Sequence, residues 1–451
     1  MSKVQSEPTL QREEPTAASG ERGELNVSAV NAIGAVTRAE WDSCANPVGA
    51  LSPGIEIAPA RYQDACGGAE EALLQAHDLH QERVYNPFIS HDFLSALEES
   101  ESVGGRSGWQ VQHLLVRTLD GMLVGAAPCY LKSHSRGEYV FDRGWAEAYE
   151  QAGGRYYPKL QVAVPFTPAA GRRLLVRPGA QASAVRQALV RGLIGLCRHY
   201  DLSGTHVTFA IEPEYHLLGE SGFLLRNDQQ FHWQNAGYGS FDDFLAALAS
   251  RKRKAIRRER ADAVANGVSV HWLRGNDLTE EVWDAFFTFY METGSRKWGR
   301  PYLTRDFYSL AGEKMADRIL LVMAKRAGRW IAGAINFIGS HTLFGRHWGA
   351  IEHHPFLHFE LCYYQAIEFA ITHKLAHVEA GAQGEHKLSR GYMPRSTYSA
   401  HFIADPALRR AIAEYLGRER AYVAAVGTEL AATAPYRKDL VIGQRSNEDS
   451  E

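Results

Sequence analysis

The chain has 451 residues, 45% hydrophobic and 22% charged, with a formal net charge of −3. That length points to two domains rather than one core, and the near-neutral balance excludes a protein basic over its whole surface, so any site for phosphate or nucleic acid has to be local. Five scattered cysteines with no CxxC pair argue against a disulfide framework or structural zinc and for a reducing cytoplasm, and no apolar run reaches the ~18 residues of a membrane span.

Residues 1–27, rich in Glu, Ser, Thr and Pro, read as a disordered tail without the apolar stretch of a signal peptide. A first domain is expected over 28–235, with a Pro/Gly/Ala-rich insertion at about 46–85 that includes a helix-compatible stretch, Glu70–Glu82. Ser90 precedes Phe93, Leu94 and Leu97, which predicts an N-cap and a helix over Ser90–Glu99. Gln110–Arg117, Met122–Leu131 and Leu160–Pro165 read as strands, Ala182–Tyr200 as a helix and Gly204–Ala210 as a strand.

The same order recurs in a second domain expected over 236–438, before a tail at 439–451. A helix at Phe241–Leu248 is followed by a basic helix running to Ala265, a strand at Val268–Leu273 and a helix at Glu280–Thr293. Three strands, Ile319–Lys325, Trp330–Ile338 and Thr342–Trp348, lead to a helix at Phe359–His373, a strand at His377–Ala382 and a helix at Pro406–Leu430. Leu123–Ala126 after Asp120-Gly121 echoes Ile331–Ala334 after Gly328, either as a trace of duplication or as ordinary hairpin chemistry. Alternating helices and short strands make the fold class α/β, with α+β mixed sheets.

Six segments carry a resemblance to a known family: Asn86–Glu98 (NPFISHDFLSALE), Tyr156–Pro168 (YYPKLQVAVPFTP), Ser250–Glu259 (SRKRKAIRRE), Gly294–Tyr302 (GSRKWGRPY), His358–Tyr364 (HFELCYY) and Glu379–Leu388 (EAGAQGEHKL). With them the chain resembles the FemAB-like branch of the GNAT superfamily, predicted N-acyltransferases related to peptidoglycan biosynthesis, from about Val30 to Lys438. The resemblance implies tandem duplicated GNAT-like domains. It also implies transfer of an acyl or aminoacyl group to a small-molecule or peptide amine. Acyl-CoA or aminoacyl-tRNA would be the co-substrate, the tRNA acceptor end a partner, and no cofactor tightly bound. The alternative is a non-catalytic protein of this fold that binds a phosphorylated or nucleotide-linked ligand.

A GNAT donor loop of the form Q/R-x-x-G-x-G/A would cradle pyrophosphate on backbone N–H groups. The corresponding stretch, Gly349–His358 (GAIEHHPFLH), lacks those glycines. In the first half Gly171, Arg172 and Arg173 either hold an anion or form a solvated loop. Arg251, Lys252, Lys254 and Arg258 lie in a basic run with a single acid, and on a helix Arg251, Lys254 and Arg258 share a face. They bind phosphate, or they form a solvated face. Arg296 and Lys297 beside Trp298 suit anion and ring recognition, or a helix-end loop with Trp298 packed inside.

Glu379–Tyr392 follows a short buried strand, where α/β ligand sites lie. Its Lys387, Arg390 and Tyr392 resemble the Phe-Lys…Phe-Gly segment of the Fem ligases, which assigns to Lys387 the stabilisation of a developing oxyanion. His386 stands where that motif has Phe. Glu379 and Glu385 are the preferred general bases, with His386 and Glu360 as others. The histidines gathered between His341 and His401 fit no HExxH spacing, so no metal is expected, and Cys362 sits among apolar helix residues, where cysteine usually packs.

Overall fold

The computed structural model describes residues 24–47, 84–179, 181–298, 301–381 and 384–437, without the side chains of 295–298 and 385. The expected helix at Glu70–Glu82 lies outside the described residues. The chain enters on β1 (Leu25–Val30), whose first three residues overlap the expected tail and which pairs along its whole length with β3 (His113–Thr118). Helix α1 (Arg38–Ala45) starts from a capping box of Thr37 and Glu40. Helix α2 (His91–Glu99) is capped by Ser90, whose side chain accepts from Phe93 N, as the sequence predicts.

Strands β2 (Trp109–Val111), β4 (Leu123–Ala127), β5 (Cys129–Lys132), β6 (Lys159–Val162) and β7 (Leu175–Val176) continue the first half. Helix α3 (Arg143–Gln151) lies between β5 and β6. Helix α4 (Ala182–His199), strand β8 (Gly204–Ala210), helix α5 (Glu212–Glu220) and strand β9 (Leu224–Gln234) complete it. Pro128 and Gln112 divide what the sequence presents as two long strands, so each feeds two sheets.

The second half opens with helices α6 (Phe241–Ala247) and α7 (Ser250–Ala263) and strand β10 (Val268–Leu273). Helices α8 (Glu280–Trp298) and α9 (Arg305–Met315) precede the meander β11 (Ile319–Arg326), β12 (Arg329–Ile338) and β13 (Thr342–Ala350). Helix α10 is built of Leu357–Phe359, a π turn at Glu360–Tyr364 and Gln365–Thr372 in continuous succession. Strand β14 (His377–Glu379), strand β15 (Met393–Ile403) and helix α11 (Pro406–Ala432) follow.

The described strands form a four-stranded sheet, β1-β3-β4-β7, and an eleven-stranded sheet, β10-β11-β12-β13-β14-β9-β15-β8-β6-β5-β2. The order of the large sheet shows an exchange. Strand β9, the last of the first half, pairs with β14 of the second. Strand β15, the last of the second half, pairs with β8 of the first, and β9 and β15 pair with each other.

One apolar core joins the halves: Trp41, Phe88 and Phe93 pack with Trp283, Phe286, Phe307 and Phe337 under α8 and α9. On the other face α10 buries Leu361, Tyr364 and Ile367 against Trp233, Phe244 and Val378. Each fully buried Leu, Ile or Phe contributes about 1.5–3 kcal/mol relative to an exposed one. Helix α4 covers the first half in the same way, over Val116, Leu160 and Val207.

Candidate functional site

The site is set by a divergence of two parallel strands. β13 and β14 pair over only three residues, Thr342 with His377, Leu343 with Val378 and Phe344 with Glu379. Beyond that point β13 runs on to Ala350, paired on its other side with β12. The opening lies at the carboxyl ends of parallel strands, where α/β folds hold ligands. Past Ala350, Trp348, Ile351, His354, Phe356 and His358 line a cavity of about 560 Å³. The Trp348 and His358 rings lie 4.7 Å apart there, and Phe356 enters helix α10 at φ +59°. Rings and imidazoles thus occupy the place of a glycine-rich phosphate loop.

Strand β14 ends at Glu379, whose Oε2 is buried and has no hydrogen-bond partner among the described residues. Burial pushes this carboxyl up to about 8, against the opposing pull of Arg346, the Ala170 backbone N–H and Arg173. Arg346, on β13, bonds the Phe166 carbonyl and the Tyr139 hydroxyl, so both Glu379 and its cation are enclosed by loops of the first half. A carboxylic acid that holds its proton at neutral pH beside a buried guanidinium is a group able to exchange a proton during a reaction.

The chain then turns through Gly381 and a 3-10 turn at Glu385–Arg390, flanked by Gly384 and Gly391, all three glycines at positive φ. Lys387 is 2% exposed, and its ammonium donates to the Gly381 carbonyl at 2.8 Å. Burial lowers its pKa to about 8, and the nearby Cys362 thiol acts in the opposite sense. Tyr392 is buried, with its hydroxyl 3.3 Å from the Tyr363 carbonyl, and is a packing residue. The Tyr363 hydroxyl is 2.9 Å from His386 Nε2, which ties the π turn of α10 to the segment bearing Lys387.

Helix α7 packs beside this turn. Arg390 reaches both oxygens of Glu259 at 2.8 and 2.9 Å and stacks 3.5 Å over the Phe359 ring. Arg251, Lys252, Ser389 and Arg390 line a cavity of about 390 Å³. Lys254 and Arg258 point to solvent instead, and Arg258 pairs with Asp262 at 3.5 Å. The predicted face of Arg251, Lys254 and Arg258 is therefore replaced, at the cavity, by Arg251 and Lys252. Glu360, the other acid offered as a base, is 2% exposed and bonded to Arg260 and Gln365. The Arg296, Lys297, Trp298 and Glu385 side chains lie outside the described ones. Among the described residues no group of His, Cys, Asp and Glu is placed to hold a metal ion, and no helix is long and apolar enough to cross a membrane.

A family model described as peptidoglycan biosynthesis/recognition matches residues 69–438. The chain belongs to the FemAB-like family. No curated protein matches the sequence. Among solved structures, FemX is similar at 11% identity over 75% of this chain and 98% of its own, with a TM-score of 0.47. The L-PGS of Bacillus licheniformis is similar at 10% identity over 74% and 98%, with a TM-score of 0.44. A tandem GNAT protein of the clavulanic acid biosynthesis pathway is similar at 13% identity over 74% and 95%, with a TM-score of 0.38.

The FemAB-like chain is α/β, with two GNAT-like halves in tandem, each placing a helix between parallel strands that flank an opening. The halves are not equivalent. In the first, β6 and β8 also pair for three residues, but Gly171 N then bonds the Phe209 carbonyl and Arg173 Nε the Thr208 carbonyl. The remaining Arg173 nitrogens bond the carbonyls of Ala169, Gly171 and Arg172, and Arg172 bonds those of Cys44 and Ala45. This corrects both alternatives for Gly171–Arg173, an anion-holding loop and a solvated one: the two guanidiniums are buried and spent on backbone carbonyls, and they close the opening. The sequence reading missed Arg346, Tyr139 and Glu259. Only Glu259 left a signal, as the single acid in a basic run.

Proposed function

We propose that this FemAB-like protein is an acyl- or aminoacyltransferase that moves its group from a thioester or an aminoacyl-tRNA to an amine, with the chemistry in the second half. The observation that carries the proposal is Lys387, a buried cation with a depressed pKa at the mouth of the β13–β14 opening. The acyl group would enter from the ring-lined cavity beyond β13. As the amine attacks the carbonyl carbon, negative charge develops on oxygen, and the Lys387 ammonium stabilises it. Glu379, as its carboxylate, takes the proton that the attacking nitrogen loses, and the leaving thiolate or ribose oxygen takes up a proton as the tetrahedral intermediate collapses. No bond to the enzyme is needed. Arg251, Lys252 and Arg390 hold phosphate groups of a substrate, Lys254 and Arg258 extend the field, and Glu385 is the second base. A cytoplasmic enzyme with soluble access to CoA or tRNA fits this chemistry.

One observation favours a second reading, a binding protein that keeps the fold. The Lys387 ammonium is already bonded to the Gly381 carbonyl. The two are separated by single-turnover transfer from a panel of labelled acyl-CoA and aminoacyl-tRNA donors to amines. Transfer by the wild type and a loss of about 10²–10³ in Lys387→Met support the enzyme; an unchanged rate in that variant removes Lys387 from the chemistry. No transfer with any donor favours the binder.

A further inference from the structure

Glu379 has two guanidiniums near it and pairs with neither. The carboxyl accepts from the Ala170 N–H, and both Arg346 and Arg173 act on its charge. Its Oε2 is nevertheless buried without a hydrogen-bond partner, and no ion pair joins it to either arginine among the described residues. An acid taken out of water beside a cation ordinarily closes on it, because pairing offsets the cost of burial. Something therefore keeps these cations where they are. His232, opposite Glu379 across β9 and β14, is not a third cation, since burial holds its imidazole neutral, down to about 3.

Both arginines are committed to the first half. Arg173 donates to the carbonyls of Thr208, Gly171, Arg172 and Ala169. Glu214, the other acid acting on Arg173, is itself spent on the backbone N–H groups of Arg173 and Leu174. Arg346 donates to the Phe166 carbonyl and to the Tyr139 hydroxyl. Arg346 belongs to the second half, so its two acceptors reach it from across the molecule.

Those acceptors are held with care. Tyr139 and Phe166 sit at φ +62° and +58°, a region that bulky residues rarely adopt and that gathers at functional sites. Their loops interlock. Phe166 N donates to the Gly137 carbonyl at 3.2 Å, a Cβ on Gly137 would lie 2.6 Å from the Phe166 ring, and that ring stacks on Tyr302 at 4.8 Å. Glu138, the neighbour of Tyr139, is buried and accepts from the Lys159 ammonium at 2.7 Å. Asp142 accepts from the same ammonium and from the Tyr156 hydroxyl. Lys132 lies 3.8 Å from Glu138 and 3.7 Å over the Trp109 ring. A buried charge cluster of this kind is a poor source of stability; its better use is to fix one arrangement of the chain.

We propose that the first half serves the second as a positioning element: Tyr139, with the Phe166 carbonyl, holds the Arg346 guanidinium away from Glu379, and the carboxyl is left unpaired to take and return a proton. Tyr139 is then a positioning residue, acting on the acid through Arg346, and the cluster of Lys132, Glu138, Asp142 and Lys159 is its anchor. A guanidinium allowed to close on Glu379 would favour the carboxylate and make it a weaker base. The closed opening of the first half is consistent with this division of labour, since that half would contribute loops rather than a second site. The proposal deepens the base role given above to Glu379 and takes its catalytic meaning from that role, but not its geometry.

The test titrates the full chain by NMR with ¹³C at the glutamate Cδ positions, the Glu379 resonance being the one lost in Glu379→Gln. Its midpoint is expected near 8. Tyr139→Phe frees the guanidinium, and the midpoint should fall by at least about one pH unit. Between Arg346→Met and the double variant with Tyr139→Phe the fall should vanish, because the cation is gone. A tyrosine that merely packs would lower the melting temperature in both backgrounds and leave the midpoint where it was. Glu138→Gln loosens the anchor and keeps the tyrosine, so it should move the midpoint the same way by less; it decides the question if Tyr139→Phe does not fold. In single-turnover transfer the acid limb of the pH profile should move with the midpoint. A wild-type midpoint near 4.5, an unchanged midpoint in the folded variants, or the same fall without Arg346 overturns the proposal. Midpoints that move as expected while Glu379→Gln transfers at the wild-type rate overturn the base role alone, so the two ideas fail separately.

Discussion

Burial moves the pKa of Lys387 down and that of Glu379 up, and the consequences for pH run in opposite directions. Lys387 titrates near 8 in the fold and near 10.5 when free. Its protonation inside the protein is a stability cost that is complete below about pH 8 and gone above pH 10.5. Lys387→Met should therefore melt higher than the wild type at pH 7, with an advantage that fades toward pH 10.5 in thermal scans. Glu379 keeps its proton up to about 8 against 4.5 when free, so its stabilising contribution is complete below pH 4.5 and lost as pH rises through 8. Glu379→Gln should flatten the stability curve between those values. The proposed transfer requires the base deprotonated and the lysine charged, so its rate should follow a narrow bell near pH 8. Lys387→Arg, which stays charged, should remove the alkaline limb; an alkaline limb that survives in this variant belongs to another group. Lys387 was legible because a local motif carries it. The partners of Glu379 were not, because Arg346 and Ala170 reach it from strands and loops far away in sequence.

At the scale of elements, helices with apolar stripes and capping residues were readable, and the two long exchanged strands were not. β9 and β15 lack an apolar alternation because one face of each is polar and still buried: Gln230, Thr397, Ser399 and His401 are all at most 5% exposed. Gln230 donates to the Pro168 carbonyl, and Arg226 pairs with Glu419, so the polarity is satisfied by a loop distant in sequence or by α11. A local pattern cannot announce a partner of that kind. The same limit applies to Gly349, which the sequence presents only as a loop residue. A Cβ there would lie 2.0 Å from the Phe289 carbonyl oxygen, so α8 approaches β13 through this one glycine. Neither backbone can yield without moving the other. Gly349→Ala should destabilise the protein by about 2–3 kcal/mol, read as a lower midpoint in urea with the slope retained. Its neighbours Trp348 and Ala350 line the larger cavity, so the KM for the donor should rise together with the loss of stability. An alanine variant as stable as the wild type would mean that the helix and the strand are not packed this closely.

For the whole molecule, the exchange of β9 and β15 decides how the two halves stand to one another. The sequence divides near residue 235, and two independently folded domains would be the ordinary result of that division. The hydrogen bonding does otherwise. β14 has β9 as its outer neighbour, β8 has β15, and a cut at 235 would leave each half with its partner strand on the other fragment. The shared core compounds this, because Phe88 and Phe93 pack on Phe337 and Phe307. Closure of the opening in the first half and its persistence in the second are then two states of one continuous sheet. We expect residues 24–235 and 236–437, expressed separately, each to be poorly soluble, since a long unpaired edge invites aggregation. Co-expressed fragments should instead associate into one soluble complex. The intact chain should unfold in urea in a single transition, with tryptophan fluorescence and circular dichroism coinciding. Two separated transitions, or a soluble, cooperatively folded fragment of either half, would show that the exchanged strands contribute little and that each half is a domain in its own right.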